Sequence, residues 1–164
     1  MNFLEVKVDG LALDMTTNSP VVILSPNGLN KVLPIWIGHA EAWGIAMELS
    51  GVKSKRPMTY DLLKTVISTM EAVVERVEIT ELKEQTFFAV LHLRCGDKRY
   101  EIDARPSDSI AVALKTGASI FVNEDLFNIE QVESDEMPPI SNDPESLRDR
   151  LRNINPEDFG KYSL

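Results

Sequence analysis

Two aspartates and one arginine stand close together in this sequence, at Asp103, Arg105 and Asp108. Carboxylate oxygens are preferred ligands of hard divalent cations, and a guanidinium can hold a phosphate group through paired hydrogen bonds. The same side chains can also form an ordinary structural ion pair. The segment is therefore a candidate for phosphate or cation chemistry, and the surrounding elements decide where its side chains point.

The three charged residues lie where a predicted strand runs into a predicted helix. Tyr100 and Ile102 alternate with charged residues, which is the period-2 pattern of a half-buried strand. Pro106 suits the first turn of a helix, and Ser107 is a residue type that caps helices. Apolar residues then follow at helical spacing until Gly117, which is typical of a helix end. The sequence thus predicts a strand-to-helix junction that holds two carboxylates and one guanidinium.

Composition limits the function classes. The 164 residues carry a formal net charge of −9, so binding to nucleic acid would need a local basic patch or metal ions. The single cysteine, Cys95, cannot form an intramolecular disulfide. No apolar run is long enough to span a membrane, and the N-terminus lacks the apolar core of a signal peptide. We expect a cytoplasmic protein without a membrane partner.

The first half reads as three strands and two helices. The phase of alternation changes near Asp9 and Gly10, which predicts a bulge in the first strand. The apolar run 20–24 predicts a strand buried on both faces, and Pro34 places the next strand, 31–37, at an edge or in an irregular pairing. Two amphipathic helices follow, the second beginning at a Thr59 cap. Their predicted apolar stripes are Ala42, Ile45, Ala46 and Leu49, then Leu62, Leu63, Val66, Ile67 and Met70.

The second half reads as three strands, a helix and a fourth strand. The short connections between the segments 73–82, 87–94 and 98–103 predict antiparallel hairpins. After the Pro106 helix, the segment 119–122 is a short predicted strand. An acidic, solvated connector is expected at 123–142, and a helical tail that docks on the domain at 143–164.

The two halves resemble each other when one is slid by 67 positions, since strand, strand, strand and helix recur in the same order. Glu41 then falls on Asp108. We predict one α+β domain at 1–122, built from two β-rich repeats at about 1–71 and 72–122. Each repeat contributes about three strands and one or two helices, which gives a largely antiparallel arrangement of strands.

Three segments in this order and spacing resemble the bifunctional nuclease domain family. They are LPIWIGHAEAWGIAMEL, RPMTYDLL and IDARPSDSIAVAL, and the chain resembles a short bacterial member. The resemblance implies a barrel-like sheet built from the two related β-rich repeats with flanking helices. It also implies a nuclease that acts on RNA, DNA or both. At position 60 this chain has Tyr where the family often has His.

The resemblance also implies site residues. The candidate catalytic residues are Glu41, Asp61, Asp103 and Asp108; the candidate phosphate ligands are Arg56 and Arg105; the supporting residues are Thr59, Tyr60 and Ser107. The chemistry that fits is metal-assisted phosphodiester cleavage. Mg²⁺ or Mn²⁺ would be held by Glu41, Asp103 and Asp108, and the arginines would bind the phosphate.

A second hypothesis belongs to a different class. The same polar residues would form a structural ion-pair network in a non-catalytic binding or assembly domain, expected to be a homo-oligomer. Trp36 and Trp43 fit either hypothesis, because they can stack on bases or pack in a core or a subunit interface. Acids that converge in an open pocket would favour the nuclease, and buried arginine-paired contacts would favour the assembly domain.

Overall fold

The computed structural model describes residues 1–129, which form one open seven-stranded sheet with helices packed on it. The strands are β1 (Phe3–Asp14), β2 (Ser19–Pro26), β3 (Leu33–Trp36), β4 (Ala72–Lys83), β5 (Thr86–Cys95), β6 (Lys98–Ala104) and β7 (Ser119–Asn123). The helices are α1 (His39–Ser50), α2 (Thr59–Thr69) and α3 (Pro106–Thr116), and a 3₁₀ turn follows at Glu124–Phe127.

The strand order is β3-β2-β1-β7-β4-β5-β6. Every pairing is antiparallel except that of β4 with β7, which is parallel. The predicted α+β class with a largely antiparallel sheet is confirmed. The sheet is open, with β3 and β6 at its edges, so the barrel-like closure is not confirmed. Three strands followed by a helix do occur in both halves, but the duplication itself stays a prediction.

Several local predictions are confirmed. The register of β1 against β2 shifts between Val8 and Gly10, where the bulge was expected. The middle of β2, residues 20–24, is buried on both faces. β3 is an edge strand that contains Pro34, and Gly117 ends α3 in the left-handed conformation. Residue types within a few positions of each feature were therefore enough to predict it.

The core lies between the sheet and the helices. Its largest fully buried side chains include Leu24, Leu33, Ile45, Ile79 and Ile110. α1 packs on β1 and β2, α3 packs on β4, β5 and β7, and the two helices pack against each other. This arrangement places the N-termini of α1 and α3 side by side above the sheet.

The predicted apolar stripes are wrong in part. In α1, Leu49 is exposed, although Ala42, Ile45 and Ala46 are buried as expected. In α2 no residue is fully buried; Leu62, Val66 and Met70 are exposed. Helical spacing identifies an apolar face, but a short domain covers only the part of that face that meets another element.

The edge strand β6 is also more exposed than alternation predicts. Tyr100 and Ile102 are 49% and 42% exposed, because no helix covers the sheet at this edge. Part of the predicted acidic connector is not solvated, since Leu126 of the 3₁₀ turn is buried. The rest of that connector and the predicted tail at 143–164 lie outside the described residues. Within residues 1–129, no helix has the length and apolar character needed to cross a membrane.

Leucine truncation tests this division into core and exposed surface. Leu24→Ala removes a side chain that is 0% exposed, and we expect it to lower the free energy of unfolding by about 2–5 kcal/mol. The matched control is Leu62→Ala, the same substitution at a side chain that is 58% exposed. This control should change the free energy of unfolding by no more than about 0.5 kcal/mol. Urea unfolding of both variants measures the difference. Equal losses would contradict the placement of α2.

Candidate functional site

A pocket of about 1060 Å³ lies along α1, at the start of α2, at both ends of α3 and beside the connector between α1 and α2. Its charged lining residues are Glu41, Glu48, Lys53, Lys55, Asp61, Lys64, Arg105, Asp108 and Lys115. Its apolar and aromatic lining residues include Trp43, Met47, Val52, Pro57, Met58 and Tyr60. We call the charged lining residues the charged floor of the pocket and the apolar and aromatic lining residues its wall. The wall can contact a flat or apolar group.

Arg105 is at the centre of the charged floor. Its Nη2 lies 2.7 Å from Glu41 Oε1, and its Nε donates to Asp108 Oδ2, also at 2.7 Å. The guanidinium thus joins the first turn of α1 to the first turn of α3. Glu41 is 15% exposed and Arg105 is 67% exposed. Because a guanidinium has five N–H donors and these contacts engage only two of its nitrogens, Arg105 retains donors that can reach a phosphate in the pocket.

Tyr60 fixes the other oxygen of Asp108. Its hydroxyl donates to Asp108 Oδ1 at 2.8 Å. Burial raises the pKa of the Tyr60 phenol well above its usual range, and the hydrogen bond to Asp108 raises it further. Tyr60 is therefore a neutral donor, and Asp108 accepts from two donors on opposite sides.

The Tyr60 ring lies directly against Gly44 in the middle of α1. A Cβ atom at position 44 would be 2.7 Å from one ring carbon and 2.8 Å from another. Such distances are too short for carbon atoms, so a glycine is required here for close approach of α1 and α2.

Lys115 ties the three helices together at the other side of the pocket. Its Nζ lies 2.8 Å from Glu48 Oε2 in α1 and 2.7 Å from Asp61 Oδ1 in α2. The second oxygen of Asp61 accepts from the Met58 backbone N–H at 2.9 Å. The hydrogen bond from Lys115, followed by that from Met58, lowers the pKa of Asp61 below its usual range.

The pocket is locally cationic although the chain is acidic. Five cationic and four acidic side chains line it, whereas the whole chain carries a net charge of −9. The N-termini of α1 and α3 add partial positive charge beside Arg105, whereas the N-terminus of α2 lies next to the last turns of α1 and α3. The lining therefore has a small positive excess on a chain that is acidic overall.

The structure brings most of the predicted site residues together. Six of them line the pocket: Glu41, Thr59, Tyr60, Asp61, Arg105 and Asp108. Thr59 is not the predicted helix cap, because Met58 occupies the cap position and the Asp61 carboxylate accepts from its N–H. The capping acceptor is thus supplied from inside the helix.

Three predicted residues lie apart from the pocket lining. Asp103 is exposed and opposite Val90, whereas Ile102 and Leu91 share the face that bears the helices. Since successive strand residues point to opposite faces, Asp103 points away from the pocket. Ser107 is buried inside α3, and Arg56 is exposed on the connector, outside the pocket lining. Asp103 is therefore close to Asp108 in the sequence, but its side chain points to a different surface.

Two important residues were missed from the sequence. Lys115 lies seven residues after Asp108, and only tertiary packing brings it to Asp61. Gly44 did carry a signal, because a glycine inside a helix costs stability and so indicates close approach of another element.

The expected metal ligands do not form a metal site in this arrangement. Arg105 bonds to both Glu41 and Asp108, and Asp103 lies on the other face of the sheet. Within residues 1–129, no three Asp, Glu, His or Cys side chains are placed to hold one metal ion. Metal assistance stays a prediction, and the chemistry considered below uses only side chains of this chain.

Comparison with known proteins adds independent evidence. A family model described as the bifunctional nuclease domain matches residues 21–135. An uncharacterised protein of Mycobacterium tuberculosis strain H37Rv is 36% identical over 162 residues, which is 94% of this chain and 97% of the relative.

Plant relatives match over a shorter part. Bifunctional nuclease 2 of Arabidopsis thaliana is 30% identical over 112 residues, which is 66% of this chain and 34% of the plant protein. Bifunctional nuclease 1 of Oryza sativa subsp. japonica is 26% identical over 113 residues, with 67% and 34% covered. The matched part spans about a third of the length of these plant proteins.

The contact between Gly44 and Tyr60 predicts the direction in which a substitution of Gly44 changes stability. By helix propensity alone, Gly44→Ala should stabilise the protein by up to about 1 kcal/mol. We expect net destabilisation instead, because the new methyl group displaces the Tyr60 ring and its bond to Asp108. In a Tyr60→Ala background the same change should be stabilising. Urea unfolding of the four proteins measures the coupling, and additive effects would contradict the contact.

The Asp61 carboxylate gives a pH-dependent test. Since its pKa is lowered in the folded state, its contribution is complete above its ordinary pKa of about 3.9 and is lost as pH falls through the lower folded value. Asp61→Asn should therefore destabilise the protein at pH 7. The difference in the free energy of unfolding between Asp61→Asn and wild type should become smaller below about pH 4. A difference that stays constant over this range would contradict the role of the Lys115 contact.

Proposed function

This chain belongs to the bifunctional nuclease domain family, and we propose that it hydrolyses phosphodiester bonds of RNA, DNA or both at the pocket among α1, α2 and α3. One observation carries the proposal. Arg105 retains free donors between two carboxylates, Glu41 and Asp108, in a pocket that four lysines also line.

Each group has a role that its contacts support. Arg105 and the lysines attract the phosphate and stabilise the charge that develops on its oxygens during attack. The carboxylates of Glu41 and Asp108, on either side of Arg105, are the candidates to accept a proton from the attacking water. Tyr60 is a positioning residue, because its hydroxyl holds the Asp108 carboxylate in place.

The wall of the pocket suits the rest of a nucleotide. Trp43 lines it together with Met47 and Met58. An aromatic face stacks on any base with little sequence preference, which fits a nuclease that acts on more than one kind of nucleic acid. A nucleotide with its phosphate at Arg105 and its base along this wall would use both parts of the pocket.

Cleavage assays with matched variants test the proposal. Labelled single-stranded RNA and DNA are incubated with wild type, Asp108→Asn and Asp103→Asn, each with Mg²⁺, Mn²⁺ or EDTA. Asp108→Asn should reduce the cleavage rate about 100-fold or more, as expected for loss of a general base or of the group that holds Arg105. Asp103→Asn makes the same change on the other face of the sheet and should retain activity.

The controls separate catalysis from folding and from contaminants. All variants are purified in the same way, and their circular dichroism spectra and melting temperatures are compared. Equal rates in wild type and Asp108→Asn would overturn the assignment of this pocket. Activity that EDTA abolishes would establish the metal assistance that we expect from the acidic residues.

The assembly hypothesis also has an observation in its favour. Each acid of the charged floor is bonded to a cation: Glu41 and Asp108 to Arg105, Glu48 and Asp61 to Lys115. Such a network can hold three helices together without catalysis. No cleavage by wild type, combined with a lower melting temperature for Arg105→Gln, would favour this second function.

A further inference from the structure

β6 forms an open edge of the sheet. Within residues 1–129 it is paired with β5 alone. The other side of its backbone therefore offers N–H and C=O groups that another strand can pair with. The strand is seven residues long, Lys98–Ala104, which is enough for a regular ladder.

The side chains on the helix-bearing face of this edge are apolar and exposed. Tyr100 and Ile102 lie on that face, level with Leu93 and Leu91 of β5. The Met70 carbonyl accepts from Cys95 Sγ at 3.4 Å, so the end of α2 lies beside the turn that leads into β6. Met70 is itself exposed. This edge therefore leaves apolar side chains without cover on the described part of the chain.

The other face of the edge carries charges of both signs. It presents Arg99, Glu101 and Asp103. Arg99 donates through Nε to Glu75 Oε2 at 3.0 Å, but its side chain is 74% exposed and keeps further donors. The Asp103 side chain has no hydrogen bond or ion pair with any residue in the range 1–129. An acid and a base thus flank the centre of the strand.

We infer that β6 pairs with β6 of a second copy of this chain, antiparallel about a two-fold axis at Glu101. Each Arg99 then lies opposite Asp103 of the second copy, and each Tyr100 lies opposite Ile102. Lys98 lies opposite Ala104, so the whole strand is used. An interface of this kind is self-complementary, as two-fold symmetry requires.

Charge excludes one neighbouring register, and use of the whole strand favours the chosen register over the other. A shift that centres the axis on Ile102 would oppose Glu101 to Asp103. One that centres it on Tyr100 would oppose Arg99 to Glu101, but it would also place Lys98 opposite Ile102 and would pair only residues 98–102 of the strand. Like charges directly opposite each other destabilise a strand pair, and opposite charges stabilise it. The chosen register has one unfavourable pair, Glu101 against Glu101, with His92 Nδ1 3.8 Å from each carboxylate.

The dimer explains two features that the pocket does not use. It covers Tyr100 and Ile102, and it gives Asp103 a partner on the opposite side of the sheet from the nuclease pocket. The proposal does not depend on the proposed catalytic function, since no residue that contacts the substrate takes part in the pairing.

The test is sedimentation equilibrium of the full chain from about 1 to 100 μM. Wild type should be a dimer, and Asp103→Arg or Arg99→Asp should each raise the dissociation constant about tenfold or more, because each places like charges opposite each other twice. An equimolar mixture of the two variants should regain the wild-type affinity as a heterodimer. Glu101→Gln should tighten the dimer, and the control Glu84→Arg, in the β4–β5 turn, should not change it.

Two results would overturn the proposal. One is a dimer whose affinity is the same in Asp103→Arg, Arg99→Asp and wild type, which would place the interface elsewhere. The other is a wild-type monomer at 100 μM, whether the amides of β6 exchange freely or are protected. Protected amides in a monomer would mean that another segment of this chain covers the edge.

Discussion

The Arg105 guanidinium, held between Glu41 and Asp108, is the contact on which the geometry of the pocket depends. It joins the N-termini of α1 and α3, two helices that the sheet places side by side. Without the guanidinium, two carboxylates would face each other near the positive ends of two helices, and their mutual repulsion would be opposed only by those helix dipoles. With it, both acids stay in place and the arginine still has donors to offer. A single side chain thus holds both acids and, in the function that we propose, supplies the donors for phosphate.

The close approach of the third helix depends on a residue without a side chain. Gly44 lets the Tyr60 ring lie against α1, and the Tyr60 hydroxyl then reaches Asp108. Lys115 secures the same helix from the other side through Asp61. α2 buries none of its residues fully, so these polar contacts and the partial burial of Tyr60 and Ile67 fix its position. Tyr60, which holds Asp108, is therefore also a residue that positions α2.

The pocket and the edge that we propose for dimerisation lie on different parts of the sheet. The helix-bearing face carries the core and the pocket, whose lining has a small positive excess on a chain of net charge −9. The edge at β6 has Arg99 and Asp103 at equal distances on either side of Glu101. Asp103 and Asp108 are close in sequence, yet the alternation of the strand and the start of the helix send them to different surfaces. Because of this separation, the proposed cleavage activity and the proposed dimer can be tested with substitutions at different residues, Asp108 for the activity and Asp103 for the dimer.

The sequence by itself determined what is local. Residue types a few positions apart predict the β1 bulge near Gly10, the buried strand β2, the hairpins of β4, β5 and β6, and the end of α3 at Gly117. Motif resemblance also identified the family and six residues that line the pocket. Only the tertiary structure decided which acids meet. The insertion of β7 between β1 and β4, the exposure of Tyr100 and Ile102 and the placement of Asp103 away from the pocket depend on which elements become neighbours. That choice is made by the packing of the whole core, and no short window of sequence contains it.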